Sequence, residues 1–113
     1  MQHVIAALRP HQWVKNLLLA MAGDALPRDV EVREVAQEVA LWKEARFTLT
    51  RNYVGQGLIG EKYLLTNVSA APMVIAEQEL YKEGVVAVSV ENMNLAAGES
   101  SNVFIIRERS DRD

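Results

Sequence analysis

The sequence predicts a mainly β protein, an immunoglobulin-like antiparallel β-sandwich with one flanking N-terminal helix. Apolar and polar residues alternate with a period of two in several short runs after residue 30. Turn residues separate these runs at intervals of about ten residues, a spacing typical of sandwiches. The one clear helical pattern comes before all of them. With 113 residues, half of them hydrophobic, the chain fits a single domain over residues 1–113 with a packed core.

The helix is predicted over residues 11–22. Its apolar residues recur at the spacing of one helical face: Trp13, Val14, Leu17, Leu18 and Met21. Pro10 suits the first turn of a helix, because proline lacks the N–H that has no partner there. Gly23 suits the position just after a helix end. The sequence therefore predicts one amphipathic helix ahead of the strands.

The first half of the sandwich, which as a whole spans about residues 30–108, is predicted from alternation. Val30, Val32 and Val35 alternate with charged residues and predict a half-exposed strand. Residues 36–44 fit either a strand or a helix. Residues 46–54 and 63–68 predict two strands joined by a glycine-rich turn, which is the clearest local hairpin signal in the chain.

The second half is predicted from runs between turn residues. A strand is expected over Met73–Leu80 after the turn at Pro72, although residues 76–83 would also suit a helix. Gly84 interrupts this run, and residues 85–90 and 102–107 predict two more strands, the last closing the domain. The tail, residues 109–113, has no apolar residue to pack and is expected to fray.

The turn at residues 55–60 spells G-x-G-x-x-G, the pattern of dinucleotide-binding loops. In those proteins the loop follows a strand and opens a helix, whose N-terminus faces the pyrophosphate. Here the next segment, residues 63–68, is predicted to be a strand. We therefore interpret the motif as a hairpin loop whose glycines supply positive φ.

The sequence contains no arrangement that indicates catalysis, a metal or a cofactor. It has no cysteine, and His3 and His11 lack the spacing of metal ligands. Glu77 and Glu79 would share a strand face, where a solvated polar side explains them better than paired catalytic carboxylates. Serine residues have no recognisable base partner. We expect no enzyme activity, no cofactor and no metal.

Charge and hydropathy narrow the possible partners. A net charge of −3 and a pI of about 5.4 argue against direct nucleic-acid binding, which normally uses a basic surface. No stretch approaches the roughly 20 apolar residues of a transmembrane helix. Residues 1–3 are not followed by the basic and apolar regions of a signal peptide, so none is predicted.

The residues of the C-terminal half match a family pattern in order and spacing. The matching positions are Tyr63, Leu65, Asn67 and Ser69, then Glu77, Leu80, Tyr81, Gly84, Val85, Ala87 and Val88, then Leu95, Gly98, Val103, Ile105 and Ile106. In this pattern the chain resembles the C-terminal domain of TraK. The helix and turn from Trp13 to Pro27 also look like the opening of that domain, so the resemblance covers nearly the whole chain.

The resemblance implies a structural role in plasmid conjugation. TraK proteins are secretin-like subunits of the outer-membrane core complex of F-type conjugative type IV secretion systems. By that resemblance the expected partners are a TraV-like lipoprotein, a TraB-like bridging protein and other TraK copies in a ring. The expected location is the periplasm, next to the outer membrane. The secretin-like N-terminal half of the family is not represented here, which leaves open whether this chain forms the ring alone.

Partner contact is expected at an open strand edge, where a partner segment adds backbone hydrogen bonds. We expect this edge near the connection containing Pro72 or at the closing strand, which would make Val103 and Ile105 partner-binding residues. Trp42, Tyr63 and Tyr81 are further candidates, because aromatic residues are favoured in interfaces. Most aromatic residues in a small domain nevertheless serve its core.

An alternative function remains compatible with the same fold. A generic immunoglobulin-like periplasmic chaperone or adhesion module would also use a strand edge. A chaperone would need a basic pair to anchor the carboxylate of its subunit, and Arg46 and Arg51 are the available residues.

Overall fold

The computed structural model describes residues 10–23 and 30–109, with side chains from residue 12 onward. His3, the side chain of His11 and the tail residues 110–113 lie outside the described part. The elements in chain order are α1 (Pro10–Ala22), β1 (Glu31–Val39), β2 (Ala45–Val54), β3 (Leu58–Asn67), β4 (Met73–Val74), a 3₁₀ helix (Glu77–Leu80), β5 (Val85–Val90), β6 (Asn94–Leu95) and β7 (Ser100–Glu108).

The strands form two antiparallel sheets. The main sheet has five strands in the order β1-β2-β3-β7-β5, and β4 pairs with β6 in a small second sheet. The small sheet and the 3₁₀ helix pack over one face of the main sheet, and α1 contacts β3, β5 and β7 on the other. The predicted fold class, a mainly β sandwich with one N-terminal helix, is confirmed.

Each face of the main sheet has its own hydrophobic cluster. Along β7, Val103 and Ile105 point into the cluster under the small sheet, whereas Phe104 and Ile106 point into the cluster under α1. All four side chains are buried. The strand therefore reads as a continuous apolar run, as expected for a strand covered on both faces.

An irregularity in each of three strands changes which residues face which cluster. In β2 the register shifts between Leu49 and Arg51, so Leu49 faces the small sheet while Tyr53 faces α1. The side-chain period of a strand is two, so one extra residue reverses the faces of everything that follows. β1 and β5 contain similar shifts. This explains why alternation in the sequence fades after Val35.

The contact between α1 and the sheet depends on a glycine. A Cβ atom at Gly60 would lie 2.5 Å from Sδ of Met21 and 3.4 Å from Cβ of Tyr53. The φ angle of Gly60 is not positive, so space rather than backbone conformation requires glycine here. Met21, which is fully buried, fills the space above it.

Three expectations from the sequence need correction. The strand expected over Met73–Leu80 is only β4, followed by a turn of 3₁₀ helix. The carboxylate of Glu79 accepts a hydrogen bond from Ala76 N (3.2 Å), which stabilises the start of that turn. In the hairpin, β3 begins at Leu58 rather than Tyr63. Arg109, expected to fray, donates from its backbone N to Gly57 O (2.9 Å).

Candidate partner-binding surface

The family-pattern residues near the end of β3 form a polar cluster that joins the two sheets. Asn67 is fully buried, and its Nδ2 donates to the carbonyl oxygens of Ala71 (2.8 Å) and Leu95 (3.1 Å). Its Oδ1 accepts from the backbone N (3.0 Å) and the Oγ (2.7 Å) of Ser69. The backbone of Asn67 also accepts from Gly98 N (2.8 Å), where a φ of 82° favours glycine. The pattern Asn67-x-Ser69 and Leu95-x-x-Gly98 is therefore structural.

Two of the predicted aromatic residues belong to one row of rings. Trp42, in the β1–β2 loop, meets Phe47 edge to face with ring centroids 5.5 Å apart. Phe47 in turn stacks on Tyr63 with centroids 4.2 Å apart. Phe47 and Tyr63 are buried, and Trp42 is half-buried at the rim of the cluster under the small sheet. Trp42 and Tyr63 thus both pack within this cluster, and of the two only Trp42 is partly accessible.

The hydroxyl of Tyr63 is part of a charged network. It donates to Oε1 of Glu61 (3.0 Å), while Oε2 of Glu61 accepts from Nε of Arg107 (3.1 Å). Burial raises the pKa of Tyr63 well above its ordinary value, and the negative charge of Glu61 raises it further. The phenol is therefore held as a neutral hydrogen-bond donor.

The structure does not place the closing strand at an edge. β7 pairs with β3 on one side and with β5 on the other, so the expectation of an open edge there is wrong. Val103 is fully buried and Ile105 nearly so. β7 pairs with β3, which lies far from it in the sequence. The position of β7 as the last strand in the chain gives no sign of this pairing. Of the five predicted residues, Tyr81 is the most accessible, with 49% of its surface exposed.

The open edges lie elsewhere. In the main sheet the outer strands are β1 and β5, and in the small sheet β4 and β6 each pair on one side only. The first predicted location, next to Pro72, lies beside β4, which pairs only with β6 among the strands that the structure describes. Its Val74 is 72% exposed. β5 also carries an exposed side chain, Val86, at its irregularity.

Glu77 makes a contact with the β5 edge that the sequence did not indicate. Its Oε2 accepts a hydrogen bond from the backbone N of Val90 (3.2 Å), the last residue of β5. Glu77 and Glu79 therefore bind backbone N–H groups and do not form a pair of catalytic carboxylates. A backbone donor bound to a distant side chain leaves no trace in periodicity, so only the fold could reveal this contact.

The glycine loop forms the β2–β3 turn, as predicted. Gly55 N donates to Leu58 O (2.9 Å), and the loop continues directly into the strand β3 rather than into a helix. Of its glycines only Gly57 has a positive φ, 78°. Within residues 10–23 and 30–109, no three His, Cys, Asp or Glu residues lie close enough together to hold a metal ion.

Comparison with known proteins identifies the family. A sequence model described as the TraK C-terminal domain matches residues 2–107. The chain belongs to the TraK C-terminal domain family. This family provides a structural component of conjugation systems and is not known as an enzyme family. A search of curated proteins finds no significant match. No helix in the described part of the chain has the length and apolarity needed to span a membrane.

Proposed function

We propose that this TraK domain is a structural subunit of the outer-membrane core complex of a conjugative type IV secretion system. In this proposal the domain lies in the periplasm and is held at the outer membrane through its partners. It binds a segment of a TraV-like lipoprotein, contacts a TraB-like bridging protein and stands beside other TraK copies in a ring. Membership of the family over residues 2–107 is the observation that carries the proposal.

The proposed binding mechanism is addition of the lipoprotein segment to an open strand edge. An outer strand offers N–H and C=O groups that an extended segment can pair with, and its side chains fill positions on alternate faces. Among the described strands, β1, β4, β5 and β6 each pair on one side only, whereas β7 pairs on both sides. Trp42 and Tyr81 remain the predicted residues whose side chains a partner could reach.

The alternative of a subunit-anchoring chaperone finds less support. Nε of Arg46 lies 3.3 Å from Oε1 of Glu38, and Nε of Arg51 lies 2.6 Å from Oε2 of Glu34. Both guanidinium groups thus have carboxylate partners on β1. A basic pair that anchors a foreign carboxylate would have to give up these contacts.

Calorimetric titration of the chain with its cognate TraV-like segment tests the proposal. We expect saturable one-to-one binding, and loss of binding when a central residue of the segment is replaced by proline, because proline removes a ladder N–H. A scrambled segment of the same composition is the control. Absence of binding by the folded chain, or equal binding of the scrambled segment, would contradict the proposal.

The ring and the bridging protein require a separate experiment. Chemical cross-linking of the chain with both partners present should yield cross-links from this domain to the TraB-like protein and between neighbouring TraK copies. If cross-links form to the lipoprotein alone, the proposal reduces to lipoprotein binding.

A further inference from the structure

The two outer strands of the main sheet differ in how well they resist pairing with a further strand. β1 carries Glu31, Arg33, Glu34 and Glu38, the kind of charged residues that protect edges from pairing. These charges are neutralised in ion pairs, either along β1 or with arginines of β2. β5 has the sequence VVAVSV and contains no charged residue or proline. Its only protection within the strand is the irregularity at Val86.

The backbone of β5 shows which groups point outward. Glu91 N donates to Asn102 O of β7 (3.0 Å), whereas the preceding Val90 N donates to the carboxylate of Glu77. In an antiparallel strand, alternate residues direct their N–H and C=O groups to opposite sides. Val88 and Val90 therefore direct these groups away from β7. The carboxylate of Glu77 occupies the place where the carbonyl oxygen of a further strand would bind.

The surroundings of β5 are acidic. Residues 77–91 contain four glutamates and one lysine, which accounts for the whole net charge of −3 of the chain. Glu83 and Glu91 are exposed, and among the described residues neither takes part in an ion pair. The exposed apolar side chains of Tyr81 and Val86 lie in the same segment. Acidic rims of this kind favour basic partners through Coulomb attraction.

We propose that the outer edge of β5 is the receiving edge, and that its occupant is an extended segment carrying lysine or arginine beside apolar residues. The inference deepens the proposed capture of a lipoprotein segment and rests on it. In the unbound domain Glu77 holds the N–H of Val90, and the incoming strand displaces its carboxylate and takes that N–H. The regular part of the edge, Ala87–Val90, admits a short strand.

Disulfide tethering tests this inference, because the chain has no cysteine of its own. Single-cysteine variants Val86→Cys on β5 and Ala36→Cys on β1 are equilibrated with peptides in a thiol redox buffer. The basic probe alternates lysine and valine around one cysteine over about seven residues, close to a usual strand length. The acidic probe has glutamate in place of lysine, and a third probe has the basic sequence interrupted by proline.

We expect the basic probe to conjugate at Val86→Cys about tenfold more than the acidic or proline probe, and more than it does at Ala36→Cys. Adding salt should reduce this preference. Equal conjugation of the basic and acidic probes would overturn the basic character of the occupant. Equal conjugation of the proline probe, or a preference for Ala36→Cys, would overturn strand addition at β5.

Further substitutions in the Val86→Cys variant separate the contribution of charge to probe conjugation from the contribution of backbone hydrogen bonding. Glu83→Lys should lower conjugation of the basic probe about threefold, whereas Glu44→Lys, an exposed reversal in the β1–β2 loop, should not. Glu77→Ala should raise conjugation relative to Glu77→Gln, because glutamine loses the charge but keeps the acceptor for Val90 N. Equal conjugation by the alanine and glutamine variants would overturn the role of Glu77.

Failure of the proposed function can be distinguished from failure of the β5 inference. If a TraV-like segment binds the chain but shifts amide signals of β1 or β4, the proposed function stands and the β5 inference falls. If the segment does not bind while the basic probe is captured at Val86→Cys, the proposed partner is wrong and the β5 edge remains.

Discussion

The two faces of the main sheet are covered by different physical means. On one face α1 packs by shape complementarity, because Met21 fills the space that the missing side chain of Gly60 leaves. On the other face the small sheet is tied by polar contacts as well as apolar ones, because Asn67 bonds the carbonyl of Leu95 and the loop at Ala71. The helix side thus depends on volume, and the small-sheet side on the hydrogen bonds of the buried Asn67 side chain.

This difference determines how each side should respond to mutation. A buried hydrogen-bonding group leaves several partners unpaired when it is removed, and each buried unpaired group costs about 1–3 kcal/mol. A volume mismatch can be relieved by a compensating change in the residue that it touches. The small-sheet side should therefore be the more sensitive to a single substitution, and the helix side the more easily rescued.

The largest effect is expected from Asn67→Ala. It removes the donor for two backbone carbonyls and the acceptor for Ser69, so we expect a loss of about 3 kcal/mol or more in the free energy of unfolding. Urea denaturation measures it. Thr66→Ala is the control, because its hydroxyl bonds only to Ser100 Oγ at an exposed site, and about 0.5 kcal/mol is expected there. Equal losses in the two variants would contradict the structural role assigned to the buried Asn67 side chain.

Gly60→Ala should cost about 2 kcal/mol, because the new Cβ collides with the side chain of Met21. In a Met21→Ala background the same substitution should cost much less, because the colliding atoms are gone. A double-mutant cycle by thermal denaturation measures this coupling. If Gly60→Ala costs the same in both backgrounds, the shape fit between α1 and the sheet is not the reason for the glycine.

Trp42→Ala tests the rim of the small-sheet side. The indole is half-buried and contacts Phe47 edge to face, so about 1–2 kcal/mol of stability should be lost. Trp42→Phe should recover part of it. If Trp42 is also a partner residue, as predicted, lipoprotein affinity will fall beyond what the stability loss explains. A loss of stability with unchanged affinity would limit Trp42 to packing.

The smallest effect at neutral pH is expected from Tyr63→Phe, which removes the hydrogen bond to Glu61. The pKa of Tyr63 is raised in the folded state, so above about pH 10 the unfolded chain loses the phenol proton while the folded chain retains it. Stability should therefore fall as pH rises beyond that point. The fall should be shallower in Tyr63→Phe. Identical pH profiles, measured by denaturation with phenolate absorbance, would contradict the raised pKa.

The sequence predicted the elements that are determined by residues close together in the chain. The helix and the β2–β3 hairpin follow from periodicity and turn residues within a few positions. It could not predict that β7 lies between β3 and β5, because that pairing joins Tyr63 to Val103 across forty residues of chain. This is why Val103 and Ile105 were expected at an edge and lie in the core.

The sequence did not predict other features, because they interrupt the side-chain period of a strand or depend on a single contact. The shifts in β1, β2 and β5 reverse the exposed face within a strand, so Tyr53 and Leu49 reach different clusters despite equal parity. The 3₁₀ turn at Glu77–Leu80 is too short to show a helical period. The hydrogen bond from Val90 N to Glu77 depends on that turn. The interpretation of the β5 edge depends on this hydrogen bond in turn.

The most direct test of the account is the amide NMR spectrum of the chain during titration with its TraV-like segment. If both faces are closed by the domain itself and the partner adds to an edge, shifts will cluster at Val88–Val90 and at Glu77. The amides around Met21 and Asn67 will then change little. Shifts centred on Met21 or Asn67, with β5 unchanged, would contradict the account, because the partner would then be replacing one of the two covers.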